Sequence, residues 1–142
     1  MADITKLLVE KKPELIEEQD IYGRTALHYA ASYGWPRVAI LLLEADSSVA
    51  YIQDKDGRSA LHYAAGNDIT KLLVEKKPEL IEGQDIYGRT ALHYAASYGW
   101  TGVTILLLEA DSSVAYIQDK DGRSALHYAA GNGNARTTEM II

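Results

Sequence analysis

The chain has 142 residues, 47% of them hydrophobic, with 20 Asp and Glu against 14 Lys and Arg for a formal charge of −6. That size and composition fit one globular unit, and the acidic balance disfavours a nucleic-acid backbone as partner, since phosphate binding needs clustered cations. The absence of cysteine excludes a disulfide framework and a thiolate metal site, and the longest apolar run, Val38 to Leu43, is far below the roughly 20 residues that a membrane span requires.

At the start, MADITKLLVEKK lacks a secretory apolar core, so a soluble, cytoplasmic chain is the expectation. Ile4, Leu7, Leu8 and Lys11 recur at helical spacing, which predicts a helix over residues 3–12 with Asp3 as N-cap and Pro13 as stop. No partner helix precedes it, so residues 3–19 read as a half unit.

Asp20 to Ala31 reads DIYGRTALHYAA. It combines a polar turn closed by Gly23, a hydroxyl at Thr25 suited to cap a helix, and an Ala/Leu-rich run that packs closely. The predicted helix covers about Thr25 to Ser32 and ends at Gly34. A second helix runs from about Pro36 to Glu44 with Val38, Leu41 and Leu42 on one face, and residues 45–54, turn-prone at Asp46 to Ser48, are expected to project as a hairpin-like loop.

The motif then returns as DKDGRSALHYAA from Asp54, DIYGRTALHYAA from Asp85 and DKDGRSALHYAA from Asp119. A helix of about eight residues is marginal alone in water, so these copies make sense only if they stack, as in a solenoid. The units read as about 20–53, 54–84, 85–118 and 119–142 within a single domain of 1–142. Residues 3–67 and 68–132 are identical at 61 of 65 positions, differing only at Glu18/Gly83, Pro36/Thr101, Arg37/Gly102 and Ala39/Thr104.

The spacing is uneven, because Arg24 to Arg58 is 34 residues, Arg58 to Arg89 is 31 and Arg89 to Arg123 is 34. Three residues are missing after the second copy, where the helix expected to end at Ala65 meets Gly66, Asn67 and Asp68 at once. One continuous helix over residues 59–77 would expose both halves and favour a swapped dimer, whereas Gly66 as a stop with Asn67 and Asp68 as a fresh cap favours a tight turn. The turn is the preferred reading. The chain closes on GNGNARTTEMII, which predicts a last helix over residues 135–142 with Met140 and Ile141 inward.

The four motifs in register, DxxGRTALHYAAxxG at Asp20 and Asp85 and DxDGRSALHYAA at Asp54 and Asp119, resemble the ankyrin-repeat family over essentially the whole chain. The resemblance implies an all-α solenoid of paired antiparallel helices with β-hairpin-like finger loops, and a protein-binding rather than catalytic role. Ala26, Ala60, Ala91 and Ala125 stand where the family usually has Pro, and Glu17, Tyr51, Glu82 and Tyr116 stand where it often has Asn. In style the repeats are most similar to those of plant membrane-associated ankyrin proteins.

His28, His62, His93 and His127 occupy one motif slot with no carboxylate or Cys at metal-ligand spacing, so each is expected to bond backbone in the adjoining turn. Asp20, Asp54, Asp85 and Asp119 precede a Gly turn and suit local amide bonding. No nucleophile with its base and no cofactor fingerprint emerges, so no enzyme, metal or cofactor is expected. Tyrosine stands apart, with ten copies in a chain without Phe. By the resemblance, Tyr29, Tyr63, Tyr94 and Tyr128 face a concave groove. Tyr33 and Tyr98 lie one turn further on, and Tyr22, Tyr87, Arg24, Lys55, Arg58, Arg89, Lys120 and Arg123 surround the finger turns.

Tyr and Arg contribute strongly at interfaces, so these fourteen residues form the candidate partner-binding set. The competing reading is that the rings pack between repeats with their hydroxyls in water. The functional expectation is a non-catalytic protein-binding module. The alternative is an engineered or recently duplicated scaffold without a dedicated partner, self-associating through its apolar ends as a homodimer.

Overall fold

A computed structural model of the chain describes residues 2–132 and 135–142. Each motif folds by the same local chemistry. Asp20 Oδ1 accepts the amides of Tyr22 and Arg24, both at 2.9 Å, and Gly23 closes the turn at φ +80°. A Cβ on Gly23 would lie 2.8 Å from the amide nitrogen of Lys55 in the next turn, so this site needs glycine both for its dihedral and for the close approach. Lys55 donates that amide to the Tyr22 carbonyl at 3.0 Å, and Ile86 to Asp56 and Lys120 to Tyr87 repeat the link, so the turns form a row.

The helices among the described residues are α1 (Ala2–Lys11), α2 (Ala26–Tyr33), α3 (Pro36–Ala45), α4 (Ala60–Tyr63), α5 (Asn67–Lys76), α6 (Ala91–Tyr98), α7 (Thr101–Ala110), α8 (Ala125–Gly131) and α9 (Ala135–Ile141). They lie in two rows. α2, α4, α6 and α8 pack in succession in one, and α1, α3, α5, α7 and α9 in the other, with α2 against α3, α6 against α7 and α8 against α9. The core between the rows is built of motif residues such as Leu27, Ala31, Leu61, Leu92 and Ala96 with Leu42, Leu73 and Leu107 from the second row. Small alanines on the inner helices let the rows approach closely, which is why Ala recurs where a larger side chain would overfill the space.

Several expectations shift. Asp3 lies inside the first turn of α1 rather than ahead of it. α3 buries Ala39, Leu42 and Leu43, leaving Val38 and Leu41 only partly covered. Residues 45–54 do not begin as a hairpin-like loop. Asp46 Oδ1 accepts the Ser48 amide at 3.0 Å and starts a 3₁₀ turn, Ser47–Tyr51, whose Val49 and Ala50 are drawn into the core. Pro13–Glu17, Pro78–Glu82 and Ser112–Tyr116 are the matching 3₁₀ turns, and no strand occurs among the described residues.

At the shortened junction no continuous helix forms over residues 59–77. α4 stops at Tyr63, Ala64 turns extended at φ −65° and ψ 106°, and Gly66 caps α5 at φ −103° and ψ 150°. The chain must still reach the start of the next outer helix, so the missing length is taken from α4, which keeps four residues where α2 and α6 have eight. α9 forms with Ile141 packed on the core and Ile142 exposed. Among the described residues no helix is long and apolar enough to cross a membrane.

Candidate functional site: the inner face and its notch

The repeated grammar of the motif builds a polar ladder across the repeats. His28, at the third position of α2, takes the Thr25 amide on Nδ1 at 3.1 Å and places Nε2 2.8 Å from the Arg58 carbonyl of the next repeat. Because Nδ1 accepts from a backbone N–H, the proton sits on Nε2 and is donated to that carbonyl, which makes the ring neutral. His62 and His93 repeat the arrangement toward the Arg89 and Arg123 carbonyls at 3.0 and 2.9 Å. Burial pushes the pKa of all three below the ordinary histidine value. These are the backbone bonds that the sequence predicts.

The tyrosines hold a surprise. The hydroxyls of Tyr29, Tyr63, Tyr94 and Tyr128 each donate to Oδ2 of the motif Asp of their own turn, Asp20, Asp54, Asp85 and Asp119. Each hydroxyl thus has a partner within the chain, at an exposed position for Tyr29 and at part-buried ones for the other three. Each ring from Tyr63 on also meets the preceding histidine edge to face, with centroids of 5.7 Å for His28–Tyr63, 6.0 Å for His62–Tyr94 and 5.7 Å for His93–Tyr128.

The arginines complete the ladder. Arg58 Nε donates to Tyr94 Oη at 3.1 Å and to Asp85 at 3.3 Å, Arg89 Nε donates to Tyr128 Oη at 3.2 Å, and the Arg24 guanidinium lies 5.4 Å over the Tyr63 ring. Burial works against the charge of Arg58, but Tyr63, Tyr94 and Asp85 hold its pKa above the ordinary value. Burial and the Asp85 carboxylate push Tyr94 up to about 12. Arg123 pairs with Asp121 at 3.1 Å, as Arg58 does with Asp56 at 3.4 Å.

The candidate residues therefore separate. Tyr29, Tyr63, Tyr94, Tyr128, Arg24, Arg58 and Arg89 are tied into the ladder, with their outer edges half-exposed. Tyr22, Tyr87, Lys55 and Lys120 are exposed at the turn tips, where Arg24 and Arg89 each lie 5.1 Å over the tyrosine of their own turn. Tyr33 and Tyr98 are exposed and stack on Trp35 and Trp100 at 5.3 and 5.0 Å. Sequence reasoning passed over the two tryptophans, although each stands two residues after an exposed Tyr across the helix-ending Gly34 or Gly99.

Where α4 lacks its second turn, the inner face opens into a notch of about 290 Å³. Tyr63, Tyr94, Tyr98 and Trp100 line it together with Ser32, Ala65, His62 and Arg58. Large aromatic faces around a void at the centre of a repeat array suit an apolar or aromatic side chain from outside.

The family model described as ankyrin repeats (3 copies) matches residues 1–82 and again residues 78–142. The chain belongs to the ankyrin-repeat family. A search of curated proteins returned no match. Ankyrin repeats are generally protein–protein interaction modules, and proteins built of them are typically non-enzymatic. Among the described residues no group of three or more His, Asp or Glu side chains is placed to hold a metal ion. The ankyrin histidines and aspartates are instead consumed by the ladder that fixes turn to helix and repeat to repeat.

Proposed function

We propose that this ankyrin chain binds a protein partner through its inner face, with an apolar or aromatic anchor side chain entering the notch between Tyr63, Tyr94, Tyr98 and Trp100. The carrying observation is the notch itself, created by the one-turn α4 and flanked by the Tyr63 and Tyr94 rings, which the ladder holds, and by the stacked pair Tyr98 and Trp100. Rigid aromatics cover area at small entropy cost, and a void bounded by them gives an anchor the desolvated surroundings typical of a hot spot. Tyr22, Tyr87, Lys55 and Lys120 form a rim of ring and cationic groups for the partner's flanking residues. Arg58 is already neutralised by Asp85, so the anchor is uncharged.

Selection of a displayed peptide library on the intact chain tests this reading. Binders are expected to carry a large apolar or aromatic anchor and to weaken by about tenfold or more with Tyr98→Ala, a substitution at an exposed ring that leaves the ladder intact. Inserting Ser-Tyr-Gly after Ala65 restores the 34-residue spacing, lets α4 make its second turn and causes the same loss. Ile4→Ala, at an exposed position on the other row, is expected to change nothing. Binders indifferent to both Tyr98→Ala and the insertion would exclude the notch.

The identity of the two halves favours a second reading, a duplicated or engineered scaffold with no dedicated partner. A selection that returns no notch-dependent binder supports it.

A further inference from the structure

The internal junction supplies a template for an interaction between copies. Residues 3–17 and 68–82 are the same fifteen residues, DITKLLVEKKPELIE, yet they are used differently. In the second copy Ile69, Leu73 and Leu80 are 1%, 0% and 8% exposed, because α5 lies between α3 and α7. In the first copy Ile4, Leu8 and Leu15 are 67%, 50% and 40% exposed, since α1 packs on α3 with nothing over its other side among the described residues.

The surface that receives α5 is also present twice. Residues 20–65 and 85–130 differ only at Pro36/Thr101, Arg37/Gly102 and Ala39/Thr104. Gly102 faces back toward α5, where a Cβ would lie 2.5 Å from Asn67 Oδ1, so that difference lies on the side away from the second seat. In the first surface Leu43, Ala50 and Leu61 are buried. Their counterparts Leu108, Ala115 and Leu126 are only partly covered, because α9 occupies the place of α5 without filling it and leaves a cleft of about 640 Å³ against them. Lys77, which follows α5, also sits 5.1 Å over the Tyr51 ring of the first surface, whereas the equivalent Tyr116 is 84% exposed, with no such cation among the described side chains.

We propose that a second copy of this chain docks head to tail. Its α1 and following Pro13–Glu17 turn take the seat formed by α7, α8 and Ser112–Tyr116, Leu8 and Leu15 fill the cleft, and Lys12 covers Tyr116. α9 is the resident competitor that this docking displaces. The contact is heterologous and leaves one free α1 and one free seat on every assembly, so it grows as an open chain rather than closing as a dimer. Association in trans lacks the covalent link of the internal junction and must overcome α9, so it sets in only at high concentration.

Sedimentation velocity on the full chain across a wide concentration range tests this. The mass is expected to rise past the 15.6 kDa monomer without stopping at two copies. Ile141→Glu, which loosens α9, is expected to lower the onset concentration by about tenfold or more. Leu8→Glu, at a half-exposed site that leaves the monomer's helical signal intact, abolishes growth. Leu126→Glu blocks the seat and does the same, while a mixture of the two variants gives two-copy species and nothing larger. The proposal is overturned if both the parent chain and Ile141→Glu remain monomeric at the highest soluble concentration, or if Leu8→Glu still associates. It is equally overturned if association stops at a dimer indifferent to Leu126→Glu.

Discussion

Helices α1 and α5 share the sequence DITKLLVEK and the same length, yet one leaves Ile4 and Leu8 to solvent and the other buries their counterparts Ile69 and Leu73. The difference lies in the neighbours. Among the described residues α5 has an outer helix on each side and α1 has one, so an identical hydrophobic pattern is buried at Ile69 and Leu73 in the middle of the stack and exposed at Ile4 and Leu8 at its edge. The same lesson holds within the motif. ALHYAA makes eight-residue helices in α2 and α6 but stops after four in α4, because three residues are missing downstream.

The histidines allow the contrast between the middle and the edge of the stack to be tested. His93 is buried, holds the Thr90 amide at 3.0 Å and reaches the Arg123 carbonyl, while His127 is exposed, holds the Ser124 amide at 3.0 Å and has no following turn to reach among the described residues. His93→Ala leaves two groups unpaired and a void, so it is expected to cost about 2–4 kcal/mol in urea unfolding. His127→Ala is expected to cost under about 1 kcal/mol, because its contacts to the Ser124 amide and hydroxyl are exposed and water replaces them. Equal losses would show that the bond between repeats adds nothing.

Acid sharpens the same contrast by a smaller amount. His28, His62 and His93 are neutral when folded and have lowered pKa values, so the unfolded chain binds more protons near its ordinary value of about 6.5. Their contribution to stability is complete above that pH and is lost as the pH falls from about 6.5 toward the lower folded values. Unfolding midpoints are expected to be flat above about pH 7.5 and to lose on the order of 1–3 kcal/mol by pH 5. Asp20, Asp85 and Asp119, whose folded pKa values are also lowered despite the opposing desolvation, extend the decline once the pH drops below about 3.8. For Asp20 the leading cause is the Tyr29 hydroxyl bond.

Much of this was readable from residues alone because the decisive chemistry is local. Asp20 to its turn amides and the positive φ of Gly23 and Gly34 span a few positions, and the helical signal repeats four times. The histidine bond to backbone in the adjoining turn followed from one His per repeat in the same slot, with no carboxylate or Cys at metal-ligand spacing, together with the family resemblance.

The tyrosine hydroxyls were not legible in the same way. The Tyr29–Asp20 bond joins residues nine positions apart and exists only because the turn folds back beside the helix. Its one sequence signal is an Asp nine residues before every motif Tyr. The notch was hidden for a related reason, since a deletion after Ala65 reads as a shorter loop, whereas the structure shortens the helix instead. The ring stacks beside it depend on Trp35 and Trp100 turning back across a glycine cap.

The most direct test that position in the stack, rather than sequence, decides what a segment contributes is the pair Leu8→Ala and Leu73→Ala, the same residue of the same helix, measured by chemical denaturation at low protein concentration. Leu73→Ala is expected to cost about 2–5 kcal/mol as a buried core truncation, and Leu8→Ala at a half-exposed site under about 1 kcal/mol. Losses of equal size at the two positions would contradict the account.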